Sequence, residues 1–244
     1  MTTSQFDELA RLYEDLSKEP WRKHLEIPSV LDAVGDLTGL SVLDLGCGSG
    51  VYTRRLSAGG ARRVVGIDES AGMIEYAARR EREEGLGIEY IAGPLPADEH
   101  GAFDLVVGVY VLPYANTLPE LRGLCEQAAT ALRDGGRFVT LPMHPDYAPD
   151  PDYYARYGFR LLSDQPREDG APVTLDLRHG SFEAAVTARY WTRETLVATL
   201  HEVGFATVTE HGYSVTAEGM AEQGEEFWHN YLSRPHATIL DSRK

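Results

Sequence analysis

The residues whose types and spacing point most directly to chemistry are Asp44, Gly46, Gly48, Gly50 and Asp68. Three glycines at alternate positions remove side chains and let backbone N–H groups approach a ligand closely. A helical pattern starts after Gly50, so the loop delivers those groups at a helix N-terminus. The spacing is G-x-G-x-G rather than the G-x-G-x-x-G that seats a pyrophosphate. Asp44, just before the loop, would repel a pyrophosphate but suits an ammonium or an ordered water. Asp68 lies eighteen residues past Gly50 and ends the apolar run Val64-Val65-Gly66-Ile67. An acid at that point is placed to accept both hydroxyls of a ribose. The pattern therefore favours a nucleoside carrying a zwitterion, and an NAD(P)-dependent oxidoreductase fails on the spacing and on Asp44.

The elements around these residues alternate between strand and helix. Val42–Leu45, Val64–Ile67, Ile88–Ala92, Phe103–Val109 and Phe138–Met143 read as strands, separated by helical stretches at 52–58, 71–84 and 118–132. Such alternation predicts a parallel sheet with helices on both faces, and ligands collect at the carboxyl ends of its strands. Residues 5–16 carry Phe6, Leu9, Leu12, Tyr13 and Leu16 at helical spacing behind a Ser4 cap. The cluster Trp21-Arg22-Lys23-His24 reads as a solvated turn, with a basic residue available to an anionic group as the alternative. Pro28–Val34 reads as a short helix. From Tyr147 the composition shifts to proline and tyrosine, and Pro172–Leu177 with Ser181–Tyr190 alternate as a hairpin around His179-Gly180. Residues 147–190 read as an inserted cap whose tyrosines could stack on a flat substrate or form an oligomer contact. Thr192 caps a following helix that ends at Gly204, then come a strand at 205–211, a helix at 220–232 and a strand at 236–240.

A net charge of −15 argues against a partner that grips nucleic-acid backbone. Two cysteines, Cys47 and Cys125, make no disulfide framework, and no apolar run reaches membrane-spanning length. The expectation is a cytoplasmic chain, monomer or homodimer, that meets neither membrane nor nucleic acid. No H-x-x-x-H or C-x-x-C pairing is present, and no metal is expected.

Val42-Leu43-Asp44-Leu45-Gly46-Cys47-Gly48-Ser49-Gly50 closely resembles the first motif of the class I S-adenosylmethionine (SAM) methyltransferases. The likeness extends through Asp134-Gly135-Gly136 and the strand behind it. It implies an α/β, Rossmann-like, doubly wound seven-stranded sheet of order 3-2-1-4-5-7-6, its last strand antiparallel. It also implies one domain over 1–244, with residues 1–38 as a helical lid and 147–190 as the cap. SAM is the implied cofactor and S-adenosylhomocysteine its product. The cofactor-binding residues implied are Tyr13, Asp44, Gly46, Gly48, Gly50, Asp68, Met73, Leu95 and Tyr110. The chain departs from the pattern at Pro94, where many relatives carry an acid for the adenine amino group. It also lacks the N/D-P-P-Y/F signature of nucleic-acid amino methylases after the fourth strand. The start of the chain, the tyrosine-rich cap, Tyr190-Trp191-Thr192-Arg193-Glu194-Thr195 and Pro235–Ile239 resemble the toxoflavin-synthase-type enzymes of bacterial specialised metabolism, which implies a flat heteroaromatic acceptor.

Methyl transfer from a sulfonium needs an acceptor held in line and, for some acceptors, a proton removed. His144, at a strand's carboxyl end, is the first candidate base. Asp146, His24 and Tyr190 are weaker ones, and an enzyme acting by proximity alone is the alternative. His24, Tyr114, Asp146, Tyr153, Tyr190 and Trp191 are the candidate substrate contacts. The reading is a SAM-dependent N- or O-methyltransferase of a small planar metabolite. The alternative on the same fold is a SAM-binding protein that transfers no methyl group.

Overall fold

The computed structural model describes residues 10–244 except 12, 165, 180 and 181. Phe6, Leu9, Leu12, Ser4 and Gly180 of the expectations above lie outside the described residues. The seven-stranded sheet has β1 (Ser41–Leu45) at its heart. β2 (Arg63–Asp68) and β3 (Glu89–Ala92) lie on one side, and β4 (Phe103–Val109) and β5 (Leu132–Leu141) on the other. All these neighbours pair in parallel. β10 (Ile239–Arg243) then runs antiparallel to both β5 and β9 (Thr207–His211). The order is the expected 3-2-1-4-5-7-6.

Every residue of β1 is buried, because helices cover both faces of the sheet. On one face Ile27, Val30 and Val34 of α1 (Ile27–Val34) and Leu56 of α2 (Val51–Ala58) pack on Val42, Val64 and Leu105. On the other, Leu121 and Cys125 of α4 (Leu118–Ala131) and Leu196 and Leu200 of α5 (Arg193–Glu202) pack on Leu43, Val65 and Phe138. α3 (Ala71–Glu84) follows β2 and is capped by the Ser70 hydroxyl.

A second sheet of three antiparallel strands holds β6 (Phe159–Ser163), β7 (Pro172–His179) and β8 (Phe182–Arg189). The expected hairpin is β7–β8, and β6 is an unforeseen third strand. It docks through Phe159 and Leu161 on Trp21, Leu25, Trp228 and Tyr231.

The structure corrects three local expectations. Trp21–His24 is not a solvated turn: Arg22–Glu26 form a π-helical turn that runs straight into α1 and buries Arg22, His24 and Glu26. The helix expected at 220–232 is two helices, α6 (Ala217–Gln223) and α7 (Glu225–Ser233), broken where Gly224 takes φ 78°. The final strand begins at Ile239 rather than His236, because the His236 ring is held in a buried polar network described below.

Candidate active site

The carboxyl ends of β1, β2 and β4, the glycine loop and α4 enclose one cavity of about 940 Å³. Its size lies near the top of the roughly 300–1,000 Å³ usual for small-molecule sites. The glycine loop forms one wall. Gly46 (φ 69°) turns so tightly that a Cβ there would sit 3.0 Å from Val111. Gly50 (φ 84°) is the left-handed cap of α2, and a Cβ there would collide with the Tyr90 hydroxyl. Both positions need glycine for conformation and for space. The Gly48 N–H donates to Asp68 Oδ2 at 2.8 Å, and Ser70 N–H donates to Oδ1 at 2.8 Å. Asp68 is thus tied to the loop and oriented at the cavity it lines.

Asp44 is buried, yet it also lines the cavity. Its Oδ2 accepts the Thr53 hydroxyl at 2.6 Å. Burial, helped by the nearby Asp68 charge and opposed by the Thr53 hydrogen bond, pushes its carboxyl up to about 7. The site therefore carries an acid poised to take or release a proton near neutrality.

At the other end, the π-helical turn brings Arg22 to the cavity wall. Its Nε donates to Glu26 Oε1 at 2.8 Å. Burial opposes the guanidinium charge, but Glu26, Tyr52 and Tyr110 together outweigh it and hold Arg22 above its usual value. Glu26 also accepts from Tyr52 at 3.1 Å and from Tyr110, whose hydroxyl lies 3.0 Å from His236 Nε2. The Tyr231 hydroxyl lies 2.8 Å from His236 Nδ1. Burial and the Arg22 charge depress His236 to about 3, so the ring is neutral. One tautomer satisfies every partner. A carboxylate only accepts, so Tyr110 donates to Glu26, and His236 must donate to Tyr110 from Nε2 and accept from Tyr231 at Nδ1. Tyr110 is the one described non-glycine residue with positive φ (58°), directly after β4. That uncommon backbone places its ring on the cavity wall and over His236, with centroids 5.8 Å apart.

Of the residues expected to touch cofactor, Tyr13, Asp44, Gly46, Gly48, Asp68, Met73 and Tyr110 line the cavity, and Gly50 caps the helix beneath it. Leu95 does not, because its side chain packs on the sheet core. Of the substrate candidates, only Tyr114 is there, with its hydroxyl 3.4 Å from that of Tyr13. His24 points away: Nδ1 meets Thr216 and Nε2 meets Glu222, in a group with Glu218 that Lys23 already bridges. His144 lies outside the cavity lining, where Nδ1 accepts from Asp146 N–H and Nε2 faces Glu210 at 3.5 Å. Asp146 is exposed there. Tyr153 donates to the Asn230 carbonyl, and Tyr190 and Trp191 are buried in the cores. No described residue of 147–190 lines the cavity. Sequence reasoning missed Glu26, Tyr52 and His236. Their hydrogen-bond partners are up to 126 residues away in the chain, and no local pattern marks them. Arg22 had a signal, the isolated basic cluster.

The cradle fits SAM: bare backbone at the glycine loop, an ammonium-compatible acid at Asp44, an acid at Asp68 for ribose hydroxyls, and the apolar Met73 beside it. Comparison with known proteins agrees. A family profile described as a methyltransferase domain matches residues 42–136. The demethylmenaquinone methyltransferase of Lactococcus lactis is 34% identical over 149 residues, covering 59% of this chain and 56% of that protein. The chain spans a little over half the length of the first curated relatives it matches. The aklanonic acid methyltransferase DauC of Streptomyces is 29% identical over 225 residues, covering 85% of this chain and 93% of that protein. A SAM-dependent methyltransferase from Mesorhizobium loti shares the fold, with TM-score 0.63 at 23% identity over 94% of this chain and all of that one. Residues 42–136 thus match a methyltransferase domain, and the fold is one shared with a SAM-dependent methyltransferase.

Proposed function

We propose that this protein methylates an oxygen or nitrogen atom of a small, flat acceptor, by in-line displacement and without a metal. The observation that carries this reading is the meeting of glycine loop, Asp68 and aromatic walls in one cavity. Tyr13, Tyr52, Tyr110 and Tyr114 offer ring faces and edges to a planar molecule. Two similar proteins act, by their names, on the small molecules demethylmenaquinone and aklanonic acid.

When bound, SAM supplies a methyl group already activated by its sulfonium charge. The chain's own residues do the rest. Asp44 faces an ammonium, Asp68 takes ribose hydroxyls, and the Arg22 guanidinium suits a carboxylate on cofactor or acceptor. Tyr13 and Tyr114 meet at the mouth and shed water from it, which is the part a lid over residues 1–38 would play. An O–H or N–H acceptor must lose a proton, and Tyr110 is placed to take it. The Tyr110 oxygen receives the acceptor's proton while its own passes to Glu26, which ends as a neutral acid. His236 holds the Tyr110 oxygen throughout. This role replaces the one expected of His144.

The test is calorimetric titration of S-adenosylhomocysteine into the wild type and Asp68→Ala, followed by mass spectrometry of methylated products from a panel of phenols and nitrogen heterocycles. Wild-type binding weakened by about a hundredfold in Asp68→Ala is expected, the loss of two charge-assisted hydrogen bonds. A wild type that binds nothing sinks the cofactor reading. Binding without any product from the panel sinks the acceptor class.

A further inference from the structure

α4 turns one face to the cavity. Glu120, Gly123, Leu124 and Gln127 all line it, at i, i+3, i+4 and i+7. Gly123 stands in the helix interior, where glycine weakens a helix relative to alanine. Neither a left-handed turn nor crowding explains it: a Cβ there would meet nothing within 4 Å. The glycine keeps a notch open in the cavity wall. One turn on, Gln127 is exposed at the rim, and no protein partner engages its amide among the described residues.

The sheet says which part of a nucleoside reaches this wall. β1, β2 and β3 are neighbours, spaced by about 4.8 Å per step. The glycine loop ends β1, Asp68 ends β2, and Gly93-Pro94 follow β3 and line the cavity. A ribose on Asp68 with its amino-acid end at the glycine loop therefore sends its base toward β3. Pro94 there has neither an N–H nor a polar side chain. Glu120 is already engaged, since its Oε2 accepts from the backbone and side-chain nitrogens of Asn116. Gln127 is the free group, and an amide that both donates and accepts matches the amino group and adjacent ring nitrogen of adenine.

We propose that α4 is the base-reading wall of the nucleoside site. The Gln127 amide pairs with the amino edge of adenine, and the notch at Gly123 admits a substituent on that amino group. The proposal rests on the cofactor reading above. It is tested by calorimetric titration of three ligands: S-adenosylhomocysteine, its inosine counterpart with a carbonyl in place of the amino group, and an N6-benzyl derivative. The wild type should prefer the adenine ligand over the inosine one by about tenfold or more, as expected of one paired amide. Gln127→Leu should shrink that preference to about threefold or less. The wild type should bind the N6-benzyl ligand within about fivefold of the parent, and Gly123→Leu should weaken the benzyl ligand about tenfold more than it weakens the parent. Gly123→Ala provides the graded case, and both replacements favour the helix, so folding is retained. An unchanged base preference in Gln127→Leu overturns the pairing. Wild-type rejection of the benzyl ligand overturns the notch. Failure of S-adenosylhomocysteine itself overturns the cofactor reading instead, so the failures are distinct.

Discussion

Two groups of tyrosines in this protein look alike in sequence and do opposite things. Tyr13, Tyr110 and Tyr114 line the cavity. Tyr153, Tyr154 and Tyr157 donate their hydroxyls to the carbonyls of Asn230, Arg234 and Phe227, along and just past α7, at 2.9, 2.8 and 2.5 Å. The rings of Tyr154 and Tyr157 pack edge-on around Tyr231 and Phe227, and that of Tyr153 packs edge-on against Tyr154. The second group is therefore a clamp between the inserted strands and α7, and its polar atoms are saturated before any ligand arrives. Among the described residues, the hydroxyls of Tyr13 and Tyr114 meet only each other, at 3.4 Å, and so stay available to a ligand. The Tyr110 hydroxyl is already held by Glu26 and His236. Which case applies depends on partners far away in the chain rather than on neighbours.

This contrast can be broken by experiment. The largest effect should come from Tyr154→Phe, which strips partners from the buried Ala148 N–H and Arg234 carbonyl. A loss of about 2–3 kcal/mol is expected, lowering the melting temperature by roughly 5–10 °C. Affinity for S-adenosylhomocysteine should stay within about twofold of wild type, and a loss beyond that places the clamp in the site. Tyr114→Phe should do the reverse, with melting unmoved by more than about 1 °C, since the residue is exposed.

Asp44 gives the next effect. Its folded carboxyl, raised to about 7, holds a proton that the unfolded chain releases near 4. Stability of the free protein therefore falls as pH rises across that window and levels above it. A ligand ammonium expels the same proton, so binding should strengthen by roughly tenfold from pH 6 to pH 8 and level off. Calorimetry in two buffers of different ionisation enthalpy reads the proton release directly. Asp44→Asn should abolish both slopes, and a slope that persists assigns the proton elsewhere.

The smallest effect should come from His144→Ala. Its ring is held by Asp146 and Glu210 outside the cavity lining, so turnover on any acceptor found should change by less than about threefold. A collapse of turnover would restore it as the base.

How much was readable follows the same division. From Ser41 to Leu141 each element is defined by its own residues: buried apolar runs, caps at Ser70 and Thr117, and glycines whose conformation the turns demand. Sheet order followed from that alternation. The far wall was not readable, because it depends on phase. A π-helical turn between Arg22 and Glu26 adds one residue to the helix repeat, aiming Arg22 at the cavity and His24 at Thr216 and Glu222. A tetrapeptide with two basic residues and a histidine cannot reveal which of them faces inward. His236 was hidden by distance, since Glu26, Tyr110 and His236 come from three remote segments.

The position of β10 has a consequence for how the molecule is made. It slots between β5 and β9, so those two strands share no edge until it arrives. During synthesis, β5 emerges with Phe138, Val139 and Thr140 on an open edge long before residues 239–243 exist. Such an edge can template pairing with another nascent chain. The protein thus passes through a vulnerable interval set by translation speed, and slow decoding between β5 and β10 should lower its yield of active molecules without altering any residue of the site.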